Sequence, residues 1–114
     1  MSPRRWQDRV QDILDAITEI QGFLANTSFD QFRVDAKTQK AVTMDLAIIG
    51  EAARFVPDAI VMVTSDIPWS LMRGMRNRIM HGYFDVDVQI VWETSHQDLP
   101  PLVEPLKRLL LQHP

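Results

Sequence analysis

Cysteine is absent from this chain. Its absence excludes a disulfide framework, a thiolate nucleophile and a zinc–thiolate centre, and makes a reducing, cytoplasmic setting the expectation. Long apolar runs are missing too: stretches such as AIVMV are a fraction of the ~20 residues a membrane-spanning helix needs. The opening MSPRRWQDRV carries charges where a leader would carry an apolar segment, so a soluble chain without membrane association is expected. Strong charge of one sign is also lacking. Twelve Lys and Arg against fifteen Asp and Glu leave a formal net charge of −3, which argues against non-specific coating of nucleic acid while leaving room for a local basic cluster. The 114 residues suit one domain, residues 1–114, with a single core.

What is present is helical periodicity. After Ser2 and Pro3, a cap and a first-turn proline, Trp6, Val10, Ile13, Leu14, Ile17, Ile20 and Leu24 recur at three- and four-residue intervals, predicting a helix over about residues 3–25. NTSFDQF breaks the period. Asp35 then caps a second helix whose Val42, Leu46, Ile49, Ala53 and Val56 share one face, ended by Pro57. A short helix is expected near 58–63, and another from Trp69 to about Met80 with Gly82 as its breaker. Asp87 caps a helix carrying Ile90, Val91 and Trp92. Asp98, Pro100 and Pro101 open the last one, through Leu102, Leu106, Leu109 and Leu110, with a kink or a late start at Pro105. No alternation is long enough to demand a sheet. The expected fold is all-α: an antiparallel up-and-down bundle of four to six helices, dimerising.

The chemistry concentrates in RGMRNRIMHGYF, residues 73–84. A lone histidine near a helix end is usually a cap, and a run of arginines is usually a solvated face. Together they put cations, an amide, an imidazole and a phenol within a few residues. Arg76 can hold a phosphate in bidentate fashion, and His81 can exchange a proton near neutral pH. With no evident carboxylate cage, this is a kit for metal-free phosphodiester cleavage in which a ribose 2′-hydroxyl attacks, chemistry confined to RNA. Arg73 and Arg78 flank the pair as candidate RNA contacts. On a regular helix five residues place Arg76 and His81 about 140° apart, so they converge if the helix ends near His81, if the arginine wraps round, or if two copies face each other; the last, a homodimer with a composite cleft on a two-fold axis, is favoured. Two other groups read more simply. Trp69 and Trp92, at helical spacing, belong to the core before any base-stacking role, with Tyr83 and Phe84 less determined. Gly50, Ala52 and Ala53 offer a helix surface that another backbone can approach, and Glu51 among them faces solvent or pairs with an arginine.

Arg76, four residues, His81, one residue, Tyr83, with Asn77 beside the arginine, resembles the motif of HEPN-domain proteins of the HepT-like kind. The similarity runs through AIIGEAARFVP, IPWSLMRGMRNRIMHGYFDVD and IVWETSHQDLPPL. It implies a dimerising all-α bundle and a metal-independent ribonuclease toxin without a cofactor, with Arg76 and His81 catalytic and Asn77 and Tyr83 supporting. It also implies a minimal nucleotidyltransferase as antitoxin, acting by adenylylation of Tyr83, and a homodimer or higher even oligomer. A nucleotide- or RNA-binding module without turnover, and a scaffold for the nucleotidyltransferase, are the alternatives.

Overall fold

Seven apolar side chains on one stripe wind residues 6–24 into the first long helix. In the computed structural model, which describes residues 4–82 and 85–114, α1 spans Trp6–Leu24. Val10, Ile13, Ile17 and Ile20 are at most 1% exposed. Its cap is Arg5, whose backbone N–H donates to the Asp8 carboxylate. The expected cap and proline, Ser2 and Pro3, lie outside the described residues. A single turn, α2 (Phe29–Phe32), is closed by a reciprocal box between Ser28 and Gln31 and buries Phe32. The second long helix, α3 (Ala36–Arg54), begins where the Asp35 carboxylate accepts from the Thr38 N–H at 3.1 Å. Its Val42, Leu46, Ile49 and Ala53 face α1 and the core.

The rest of the chain wraps this pair. Short α4 (Asp58–Val63) follows Pro57, and α5 (Trp69–Arg73) and α6 (Met75–Ile79) pack on α3. A two-residue hairpin, β1 (Met80–His81) against β2 (Asp85–Val86), precedes α7 (Val88–Glu93). Asp87 caps α7 through the Ile90 N–H. A π-helical turn (Thr94–Asp98) and a 3-10 turn (Pro100–Leu102) lead into α8 (Val103–Gln112), which returns along α1. Leu99, Leu102, Leu106 and Leu109 close the core from that side. The molecule is a helical bundle, as its periodicity predicts, and among the described residues no helix is long and apolar enough to cross a membrane.

Two local expectations change. The helix from Trp69 to Met80 is two helices, broken at Gly74 (φ −90°, ψ 0°), whose N–H still donates to Ser70 O. Its predicted end gives way to the hairpin, where Gly82 (φ +84°) takes a left-handed conformation that suits glycine. Of the kink or late start expected at Pro105, the late start is what forms: Pro105 sits in the first turn of α8, where a missing N–H costs nothing. Trp69 is buried, with its indole N–H donating to Thr64 Oγ1 at 2.9 Å. Trp92 is only half-buried, packed between Phe32, Phe29 and the His96 ring.

Candidate ribonuclease site

Two glycines position the motif. A Cβ on Gly50 of α3 would lie 3.1 Å from Met72 O and 3.8 Å from the Arg76 N. Only a bare backbone lets the α5–α6 elbow sit this close, and the elbow is where Gly74 interrupts the helix. Met72, Met75 and Ile79 then point inward at zero exposure, leaving Arg76, Asn77 and Arg78 on the outer side of α6, all exposed. The spacing of the buried residues dictates this outcome.

The four basic or imidazole candidates have different fates. Arg73 is half-buried, its Nε donating to Ala53 O and its Nη2 to Val56 O, both at 3.1 Å. Ala53 O lies in the last turn of α3 and Val56 O just past its end, so this guanidinium caps a helix C-terminus and is engaged where RNA contact was expected. Arg78 Nη1 reaches Asp98 Oδ2 at 3.0 Å, tying α6 to the π-helical turn. Arg76 is the arginine of the three that lines a cavity. His81 is exposed on β1, directly opposite Asp85 on β2. Because α6 ends at Ile79, the 140° offset of a continuous helix does not apply to Arg76 and His81. Tyr83 and Phe84 lie outside the described residues.

The cavity is a groove of about 810 Å³ between the N-terminal half of α3 and the α6–hairpin edge. From α3 come Ala36, Gln39, Lys40, Thr43, Met44 and Ala47; from the other wall come Arg76, Met80, Asp85 and Val86. Met80 and Val86 are cross-strand partners, so their side chains stand on one face of the hairpin. His81, the residue after Met80, pairs with Asp85 and is not among the residues that line the groove. The arrangement offers an apolar trough with cations at its edge and polar groups within; the exposed His81 imidazole stands on the hairpin strand that follows α6. None of the α3 wall was singled out from the sequence: Lys40, Gln39 and Thr43 sit some forty residues before the motif, and only tertiary packing brings them to it.

Comparisons with known proteins identify the family. The family model described as ribonuclease HepT-like matches residues 13–109, a span that includes every element lining the groove. A protein of Thermococcus cleftensis named probable ribonuclease HepT is 39% identical over 106 residues, covering 93% of this chain and 96% of its own. A protein of Caldanaerobacter subterraneus, provisionally named an RNase, is 32% identical and covers 96% of this chain and 95% of its own. Another from Methanocaldococcus jannaschii, also provisionally named an RNase, is 31% identical, covering 87% and 82%. No solved structure matches the chain. On a family match spanning most of its length and relatives of equal extent, the chain belongs to the HepT-like ribonuclease family.

Proposed function

We propose that this protein is a metal-independent endoribonuclease that acts as the toxin of a toxin–antitoxin pair, with Arg76 and His81 as its catalytic residues. The observation that carries the reading is the position of Arg76, exposed at the wall of the groove and followed within five residues by an exposed imidazole. In the reaction, His81 takes the proton of a ribose 2′-hydroxyl, and the 2′-oxygen attacks the adjacent phosphorus. The P–O5′ bond breaks and the departing 5′-oxygen takes a proton from water, giving a 2′,3′-cyclic phosphate and a 5′-hydroxyl end; the proton held by His81 then returns to solvent. Arg76 binds the non-bridging oxygens, where charge accumulates in the transition state. Asn77, next to it on α6, supplies an amide for the same phosphate or its neighbour.

Regulation follows the same chemistry. A minimal nucleotidyltransferase is the expected partner, transferring an adenylyl group to the Tyr83 hydroxyl and placing a phosphodiester beside the arginine that RNA requires. A homodimer, or a higher even oligomer, is the expected assembly. Support for it comes from α3 and the residue that ends it, where Met44, Ile48 and Phe55 are 64%, 39% and 51% exposed. Spaced by four and seven residues, they form one apolar face that runs on from the groove.

The test is cleavage of a mixed RNA pool by purified protein in EDTA. Wild type should cut and leave 2′,3′-cyclic phosphate ends; His81→Ala and Arg76→Ala, both at exposed positions, should fold normally and not cut. Equal cleavage by both variants would remove the assignment, and binding without cleavage by wild type would favour a non-catalytic module. For regulation, intact mass after incubation with the nucleotidyltransferase, ATP and Mg²⁺ should show an adenylyl adduct that Tyr83→Phe lacks.

A further inference from the structure

The groove beside Arg76 holds more than a phosphate needs. A phosphate clamp requires cations and donors at a surface, whereas this groove has a floor and walls of Ala47, Met44, Met80 and Val86, flat or flexible surfaces against which a planar ring can pack. Two cations border it, Arg76 on one wall and exposed Lys40 on the other. In a chain of net charge −3, that local pairing favours an anion at each edge with something apolar between. A ribonucleotide flanked by two phosphates has that pattern.

The polar groups within the groove suit a base. Gln39 is held in one orientation, because its Nε2 donates to Phe32 O at 2.8 Å; its side-chain oxygen remains an acceptor of fixed direction. Asp85 adds a carboxylate from the hairpin. Thr43 supplies the independent observation. It lines the groove and is 8% exposed, yet its Oγ1 is buried without a hydrogen-bond partner among the described residues. Leaving a hydroxyl so is costly. Helical threonine populates two χ1 wells, and turning from one to another exchanges methyl for hydroxyl at the groove floor.

We propose that this groove is a base-recognition subsite for the nucleotide next to the scissile phosphate, with Thr43 and Gln39 reading the base edge, Met44 and Met80 packing on its face, and Lys40 holding the next phosphate. The inference rests on the ribonuclease reading for its biological ligand, but it is tested by binding. The full chain carrying ¹³C-methyl methionine is titrated with each of the four nucleoside 3′,5′-bisphosphates and, separately, with inorganic phosphate. Met44 and Met80 methyl signals should shift saturably, while Met62, far out on α4 and 79% exposed, should not. One base should bind at least about fivefold tighter than the weakest, a modest discrimination for one or two hydrogen bonds.

Variants separate recognition from folding. Thr43→Val should raise the melting temperature, since it deletes an unpartnered hydroxyl, and yet weaken the preferred nucleotide several-fold. Lys40→Ala should weaken all four alike, and Gln39→Glu should reorder them. His81→Ala should keep the order of preference among the four bases while abolishing cleavage, so that loss of cleavage and loss of the subsite are distinguishable. Absent methyl shifts, shifts reproduced in full by phosphate alone, or shifts that follow protein concentration instead of nucleotide would each overturn the proposal. The last of these would mean that a second copy of the chain occupies the groove.

Discussion

Arg76 and Arg73 are three residues apart and of one type, yet the fold gives them opposite tasks. Arg76 faces the groove, and its planar fork matters: Arg76→Lys keeps the charge but loses the bidentate grip. Cleavage is expected to fall about 10–100-fold with no change in melting temperature, measured as initial rates on one RNA substrate; a rate within twofold of wild type would show that only charge is needed. Arg73 instead joins α5 to the end of α3 through Ala53 O and Val56 O. Arg73→Ala should destabilise the fold by about 1–3 kcal/mol by leaving two partly buried carbonyls unpaired, read by urea unfolding. The sequence could not assign these roles. RxxRxR states that three cations are near one another; which one is buried depends on Met72, Met75 and Ile79 turning inward and on where the end of α3 falls.

At the scale of elements, α1 and α3 were legible because each carries an uninterrupted apolar stripe, and Asp35 and Asp87 because a cap needs only local chemistry. The hairpin was not. Met80, His81, Asp85 and Val86 form too short a pairing to leave an alternating pattern, and the break at Gly74 depends on Gly50, 24 positions earlier, allowing close approach. Gly50→Ala places a methyl 3.1 Å from Met72 O, so the elbow must shift; stability should drop by about 1–3 kcal/mol, and RNA cleavage should fall with it as the start of α6 moves. The α1–α3 contact also buries a carboxyl. Asp45 is 5% exposed, and burial first, then the nearby Glu19 carboxylate, raises its pKa to about 6. With the folded value above the unfolded one, the proton is bound more tightly in the fold. Its stabilising contribution is therefore complete below about pH 4 and is lost as pH rises through about 6. Asp45→Asn should leave stability unchanged near pH 4 and raise it by about 1–2 kcal/mol at pH 7.5. Urea midpoints across that range check this, and equal midpoints at pH 7.5 would contradict it.

For the whole molecule, the question is whether one chain makes a complete site. On a continuous helix Arg76 and His81 would stand about 140° apart and converge only with a second copy; α6 ends at Ile79, so this offset no longer decides between one chain and two. What remains is the exposed apolar face of Met44, Ile48 and Phe55 and the open position of Arg76 at its edge. A two-fold pairing across this face would bring two arginines and two imidazoles into one cleft. Ile48→Glu, a charge placed in that face but outside the groove lining, should then shift sedimentation from dimer to monomer and lower cleavage together. Mixing supplies the sharper experiment. Arg76→Ala and His81→Ala are each expected to be inactive, but after unfolding and refolding together about half of the dimers should be mixed if pairing is random. A mixed dimer keeps one arginine and one histidine, on different chains. If the cleft is shared, cleavage returns at a fraction of the wild-type rate and disappears again when either variant also carries Ile48→Glu. If every site is complete within its own chain, the mixture stays as inactive as its components even though sedimentation shows dimers, and the composite cleft would have to be abandoned.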